Sequence, residues 1–200
     1  MKTQKTMKTL VCFLEEPSAE EMLKGVLPRL LPEDVECKFV VFEGKQDLEK
    51  QLVRKLRGWL KPDSLFLVMR DQDAAECQDV KNRLVDLCRQ AGKPETLVRI
   101  ACRELESFYF GDLDAVEKGL KLSNIAGNKR KAKYRVPDNI VNPCEELEKL
   151  TAGHYQHIEG SRSIAPFLSL KNNTSHSFNV LLSGIKKLLN IPDTTRRNEP

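Results

Sequence analysis

The 200-residue sequence predicts an α/β fold: a mostly parallel sheet flanked by helices, with a helical C-terminal part. Short apolar runs alternate with amphipathic runs of helical period through the first half. The connections are a few residues long, which favours right-handed crossovers and parallel strands. After Asp112 no strand pattern recurs, and short helical pieces take over.

The first strand is expected at about 9–14, an unbroken apolar run of the kind buried on both faces. Pro17 and Ser18 open a helix, with Ser18 as its cap ahead of Glu20 and Glu21. Met22, Leu23, Val26, Leu27 and Leu30 recur at helical spacing. A second strand, about 35–42, stops at Gly44, and a helix over 46–60 follows with Leu48, Leu52, Leu56 and Leu60 on one side. A third strand is expected at 65–70. The helix after it, 74–91, aligns Val80, Leu84, Leu87 and Cys88, and a fourth strand follows at 97–101. Helical pieces are expected near 114–120, 144–152 and 164–168, with an amphipathic helix over 177–189. This divides the chain into an α/β core (1–112), a helical part packed on it (113–190) and a frayed tail (191–200).

Composition narrows the function classes. Hydrophobic residues at 40% and charged residues at 31% fit a soluble globular protein. A net charge of +4 is too small to argue for nucleic acid by itself. No segment approaches the roughly 20 apolar residues of a membrane span. The apolar N-terminal stretch is too short for a signal-peptide core and ends in Glu15 and Glu16. Six cysteines without a CxxC pair read as reduced thiols. A cytoplasmic location is the expectation.

The acids carry more information. The first strand runs into Glu15 and Glu16, the third (LFLVMRDQD) into Asp71 and Asp73, and LVRIACRELE into Glu104 and Glu106. Parallel α/β sheets bind ligands at the carboxyl ends of their strands. Carboxylates gathered there repel unless protons or a cation compensate, and an all-oxygen set suits Mg2+ or Mn2+. Glu15 or Glu16 joins Asp71 and Asp73 only if the first and third strands are neighbours. The alternative for Asp73 is a cap on the helix at 74. An extended backbone would turn Glu104 and Glu106 to one side, whereas a helix would separate them; Glu104 is the preferred ligand. Phe108, Tyr109 and Phe110 read as core.

The segment NKRKAKYR supplies Lys129, Arg130, Lys131, Lys133 and Arg135. It reads either as a solvated loop or as a grip on phosphates. No phosphate-binding glycine loop and no HExxH occur. His154, His157 and His176 read as surface or packing residues. No nearby motif orients a cysteine nucleophile.

FLEEPSAEE, LVMRDQD and RIACRELESFYFGD, followed by GSRSIAPFL and SHSF, together resemble an uncharacterised bacterial Toprim-like family. The resemblance extends from about 9 to 189 and implies a Toprim-like (Rossmann-like) sheet related to that of OLD-type nucleases. It implies Mg2+ binding by Glu15, Asp71 and Asp73 as catalytic residues, with Glu104 and Glu106 as further acids. One departure stands out: Glu16 and then Pro17 replace the glycine usual after the first glutamate. The implied activity is metal-dependent hydrolysis of phosphodiester bonds in DNA or RNA. The resemblance also implies an ATPase partner in bacterial phage defence. Arg162 and Lys171, in and beside the second signature, are candidate phosphate contacts with the basic run. The alternatives are a non-catalytic binding module for an ATPase and a small-nucleotide phosphohydrolase.

Overall fold

The computed structural model describes residues 7–192. The start of the chain and residues 193–200 of the expected tail lie outside the described residues.

Four strands, β1 (Lys8–Leu14), β2 (Val35–Val41), β3 (Ser64–Asp71) and β4 (Leu97–Ala101), form one parallel sheet in the order β2-β1-β3-β4. The first crossover carries the chain to one side of β1 and the second to the other. The sheet therefore changes direction between β1 and β3, where a doubly wound fold opens its ligand crevice.

Helices cover both faces. Leu10, Cys12 and Leu14 of β1 face one core, while Val11 and Phe13 face a second, as strand alternation requires. The second core packs α2 (Lys45–Arg57) and α3 (Cys77–Gln90) through Leu48, Leu52, Leu56, Val80, Leu84 and Cys88. The first packs α1 (Pro17–Val26) and everything after β4. That region holds α4 (Ser107–Phe110), α5 (Leu113–Gly119), α6 (Pro143–Leu150), α7 (His157–Ile164) and α8 (His176–Leu189). Short 3-10 turns join them, and no strand follows β4 among the described residues. One continuous core thus spans Leu10, Phe108, Tyr155 and Ile185. No helix among the described residues is long and apolar enough to cross a membrane.

Several local expectations are corrected. Ser18 does not cap α1: Glu16 holds the cap position, and the Ser18 hydroxyl donates to the Glu16 carboxylate instead. α3 begins at Cys77 rather than 74, so Asp73 caps nothing. α2 ends at Arg57, and Leu60 beyond it is 87% exposed rather than on the apolar face.

Candidate functional site

Three strand ends meet at the crevice between β1 and β3. The Glu15 amide donates to the Met69 carbonyl (3.3 Å), and the Glu15 carbonyl accepts from the Gly44 amide (3.0 Å). Gly44 has φ 93°, a left-handed conformation that glycine adopts without a Cβ penalty. Glu15 is therefore fixed from both neighbouring strands. Its carboxylate accepts from the Asp71 amide at 3.1 Å, and the Asp71 carboxylate accepts from the Leu105 amide at 3.2 Å. The ends of β1 and β3 and the turn after β4 are thus linked in series by acids.

The turn after β4 is neither strand nor helix, so neither simple period describes Glu104 and Glu106. Asp73 and Arg103 both have left-handed backbones, φ 58° and 62°, and the Asp73 amide donates to the Arg103 carbonyl at 2.8 Å. Both acids turn inward, to different partners. Glu106 is 2% exposed and accepts a 2.6 Å hydrogen bond from the Tyr155 hydroxyl. Glu104 accepts from the Cys144 amide at 2.7 Å. Cys144 follows Pro143 at the start of α6, so Glu104 places an anion on unsatisfied amides at a helix N-terminus. Glu104 and Glu106 are thus engaged by different segments, the start of α6 and Tyr155.

Asp73 is engaged by two cations. Its carboxylate pairs with Lys45 at 2.9 Å and Arg70 at 3.1 Å. Arg70 is 5% exposed; it donates to Glu49 (3.0 Å) and the Asp71 carbonyl (2.9 Å) and stands 3.6 Å from Glu15. One buried guanidinium therefore holds Glu15, Glu49 and Asp73 in place. Nothing in the strand pattern marks Arg70 as other than a residue of β3.

The remaining acids repel one another. Burial, then the charges of Glu16, Glu106 and Glu15, push the Asp71 carboxyl well above the usual carboxylate range. Burial is also the largest cause for Glu106, reinforced by Glu16, and raises it to about 7 against the opposing Tyr155 hydrogen bond. Glu15 is raised by burial too, against the opposing pull of Arg70. The charges of Glu15, Glu16 and Glu106 thus act together on the buried Asp71 carboxyl, and Arg70 offsets part of that charge at Glu15.

The basic residues are divided. Lys129 pairs with Asp114 (2.8 Å) and Lys133 with Glu146 (2.5 Å), while Arg130, Lys131 and Arg135 are exposed. The run adjoins α6: Tyr134 donates to Glu146 (2.6 Å) and stacks on Phe110. Lys129 and Arg135 line a cleft of about 530 Å³ with Asp112, Asn172 and Thr174. Arg162 pairs with Glu21 and Glu159, each at 2.6 Å, and exposed Lys171 lines a separate cleft with Arg29 and Asn179.

One grouping had little sequence signal. His157 Nε2 lies 3.0 Å from Cys144 Sγ, although the two residues sit on different helices. The available hint was Cys144 and Glu148, four apart and so on one face of α6.

Comparison with curated proteins and with solved structures returned no match. A family model described as a domain of unknown function, DUF4276, matches residues 14–186. That span includes every candidate acid and base named above, and the chain belongs to the DUF4276 family.

Proposed function

We propose that the chain is a Mg2+- or Mn2+-dependent phosphodiesterase acting on nucleic acid, with Glu15, Glu16, Asp71 and Glu106 as the cation ligands. The observation that supports it is the hydrogen-bonded series from Glu15 to Asp71 to the turn that carries Glu106. It lies at the change of strand direction, where such sheets take their ligands. The resemblance of the three acid-ended segments to Toprim domains supports the same chemistry.

Asp71, Glu106 and Glu15 favour protons chiefly because they are buried, with the charge of Glu16 adding to each. A divalent cation would replace those protons, so binding strengthens as pH rises. When bound, such an ion supplies an activated water and stabilises the leaving oxygen. Arg70 acts through others: it orients Glu15 and Asp73. Asp73, paired with Lys45 and Arg70, is a positioning residue in this reading. The exposed Arg130, Lys131 and Arg135 would meet phosphates and offset the repulsion between carboxylates and a polyanion.

The test incubates purified protein with plasmid and with single-stranded DNA and RNA, in Mg2+ or Mn2+. Cleavage that is lost in Asp71→Asn and in Glu106→Gln is expected. Cleavage that persists in the double variant Asp71→Ala, Glu106→Ala removes the assignment. Metal binding without cleavage of any polymer or nucleotide favours a binding module instead.

A further inference from the structure

Cys144, Glu148, His157 and Glu106 come from three separate segments. Cys144 and Glu148 lie four apart on α6, His157 opens α7, and Glu106 follows β4. Ligand atoms of Glu106, Cys144 and His157 all lie within 4.8 Å of one another. Sγ of Cys144 is 3.0 Å from Nε2 of His157. Oε1 of Glu148 stands 3.5 Å from that Nε2 and 3.8 Å from that Sγ.

We propose that Cys144, His157 and Glu106, with Glu148 beside them, form a binding site for a zinc-type divalent cation. The proposal does not rest on the phosphodiesterase reading: the two sites share Glu106, but here the other ligands are a thiol and an imidazole. Sulfur and imidazole nitrogen select a borderline-soft ion such as Zn2+, whereas the acids at the strand ends offer oxygen alone. Around Zn2+, with ligands about 2.0–2.3 Å from the metal, tetrahedral angles place the ligand atoms roughly 3.3–3.6 Å apart. The Cys144–His157 separation of 3.0 Å lies just below that range, Glu148 stands 3.5 and 3.8 Å from the same two atoms, and Glu106 lies within 4.8 Å of both.

Supporting contacts hold the ligands in place. The Tyr155 hydroxyl donates to Glu106 Oε1, and the Tyr155 ring stacks on His157 with centroids 6.0 Å apart. Outer hydrogen bonds of this kind orient metal ligands. The polar contact now joining Sγ and Nε2 occupies the place that a cation would take. On binding, the Cys144 thiol loses its proton to solvent and the sulfur coordinates as thiolate. Burial, and after it the charges of Glu106 and Glu148, hold this thiol protonated in the free protein, and those carboxylates are themselves attractive to a cation. The ion would tie the starts of α6 and α7 to the turn after β4. Through Glu106 it would also contact the acid cluster, giving this face of the molecule two ions of different class around one shared carboxylate.

The test uses the full chain, reduced and stripped of metal by chelation, titrated with Co2+ as a spectroscopic substitute for Zn2+. Wild type should develop a thiolate-to-cobalt charge-transfer absorption that Zn2+ displaces. Cys144→Ser should lose that absorption. His157→Ala, whose side chain is 53% exposed, should weaken binding at least tenfold while keeping the wild-type circular dichroism spectrum. Asp71→Asn should retain the absorption while losing phosphodiester cleavage, which separates this site from the proposed active site. Absence of the absorption in wild type overturns the proposal. So does its survival in Cys144→Ser, which would assign it to another cysteine, or its loss in Asp71→Asn.

Discussion

Glu106→Gln should stabilise the metal-free protein at alkaline pH. Glu106 is 2% exposed, and its proton affinity is raised from the usual 4.5 to about 7. Below pH 4.5 the carboxyl is neutral folded and unfolded, and it contributes no penalty. As pH rises, the unfolded chain releases the proton first, and stability falls until the folded group also ionises near pH 7. At about 1.4 kcal/mol per tenfold change in proton affinity, the penalty above pH 7 is on the order of 3 kcal/mol. Glutamine keeps the shape and still accepts from the Tyr155 hydroxyl, but it carries no charge. Glu106→Gln should therefore match wild type near pH 4.5 and exceed it at pH 8.5 by on the order of 3 kcal/mol. In a chain of this size that corresponds to roughly 6–12 °C in melting temperature. Circular dichroism melts across that pH range, in the presence of a chelator, measure it. A variant less stable than wild type at pH 8.5 would refute the view that this carboxylate lacks a compensating charge.

Other substitutions probe the surroundings. Arg70→Met leaves Glu15, Glu49 and Asp73 without their shared cation and should cost about 3 kcal/mol in urea unfolding; a neutral result would mean that the carboxylates rearrange to water. Gly111→Ala places a Cβ 1.9 Å from Asn173 Oδ1 and 2.7 Å from the Ser175 amide nitrogen, and should lower stability by roughly 1–3 kcal/mol or more in the same assay. Charge reversal of Arg130 and Arg135 together should weaken binding of labelled single-stranded DNA in fluorescence anisotropy, most at low salt, because exposed charges are screened as salt rises. Unchanged binding at low salt would return the segment to an ordinary solvated loop.

The sheet was legible because β1 and β3 are unbroken apolar runs, and their parallel pairing follows from the helices between them. The convergence of Glu15 and Asp71 was legible for the same reason: acids at the ends of central strands have one place to go. Side-chain partnerships were not. Asp73 has a carboxylate like Asp71, but it is paired with Lys45 and Arg70, whereas Asp71 accepts from a backbone amide. Glu104 and Glu106 differ by which segment returns to meet them, and those segments lie 40 and 49 residues downstream. Local periodicity carries no record of contacts at that range. The Cys144–His157 contact is of the same kind, since it depends on how two short helices pack rather than on any spacing within either.

Titration calorimetry with Mg2+ and Mn2+ tests the central claim most directly. The acid cluster predicts binding by wild type that strengthens from pH 6 to pH 8 as the proton leaves Glu106. It predicts at least about tenfold weaker binding in Asp71→Asn, and a smaller loss in Asp73→Asn, whose carboxylate is engaged by Lys45 and Arg70. Absence of binding to wild type, or undiminished binding to Asp71→Asn, would contradict it.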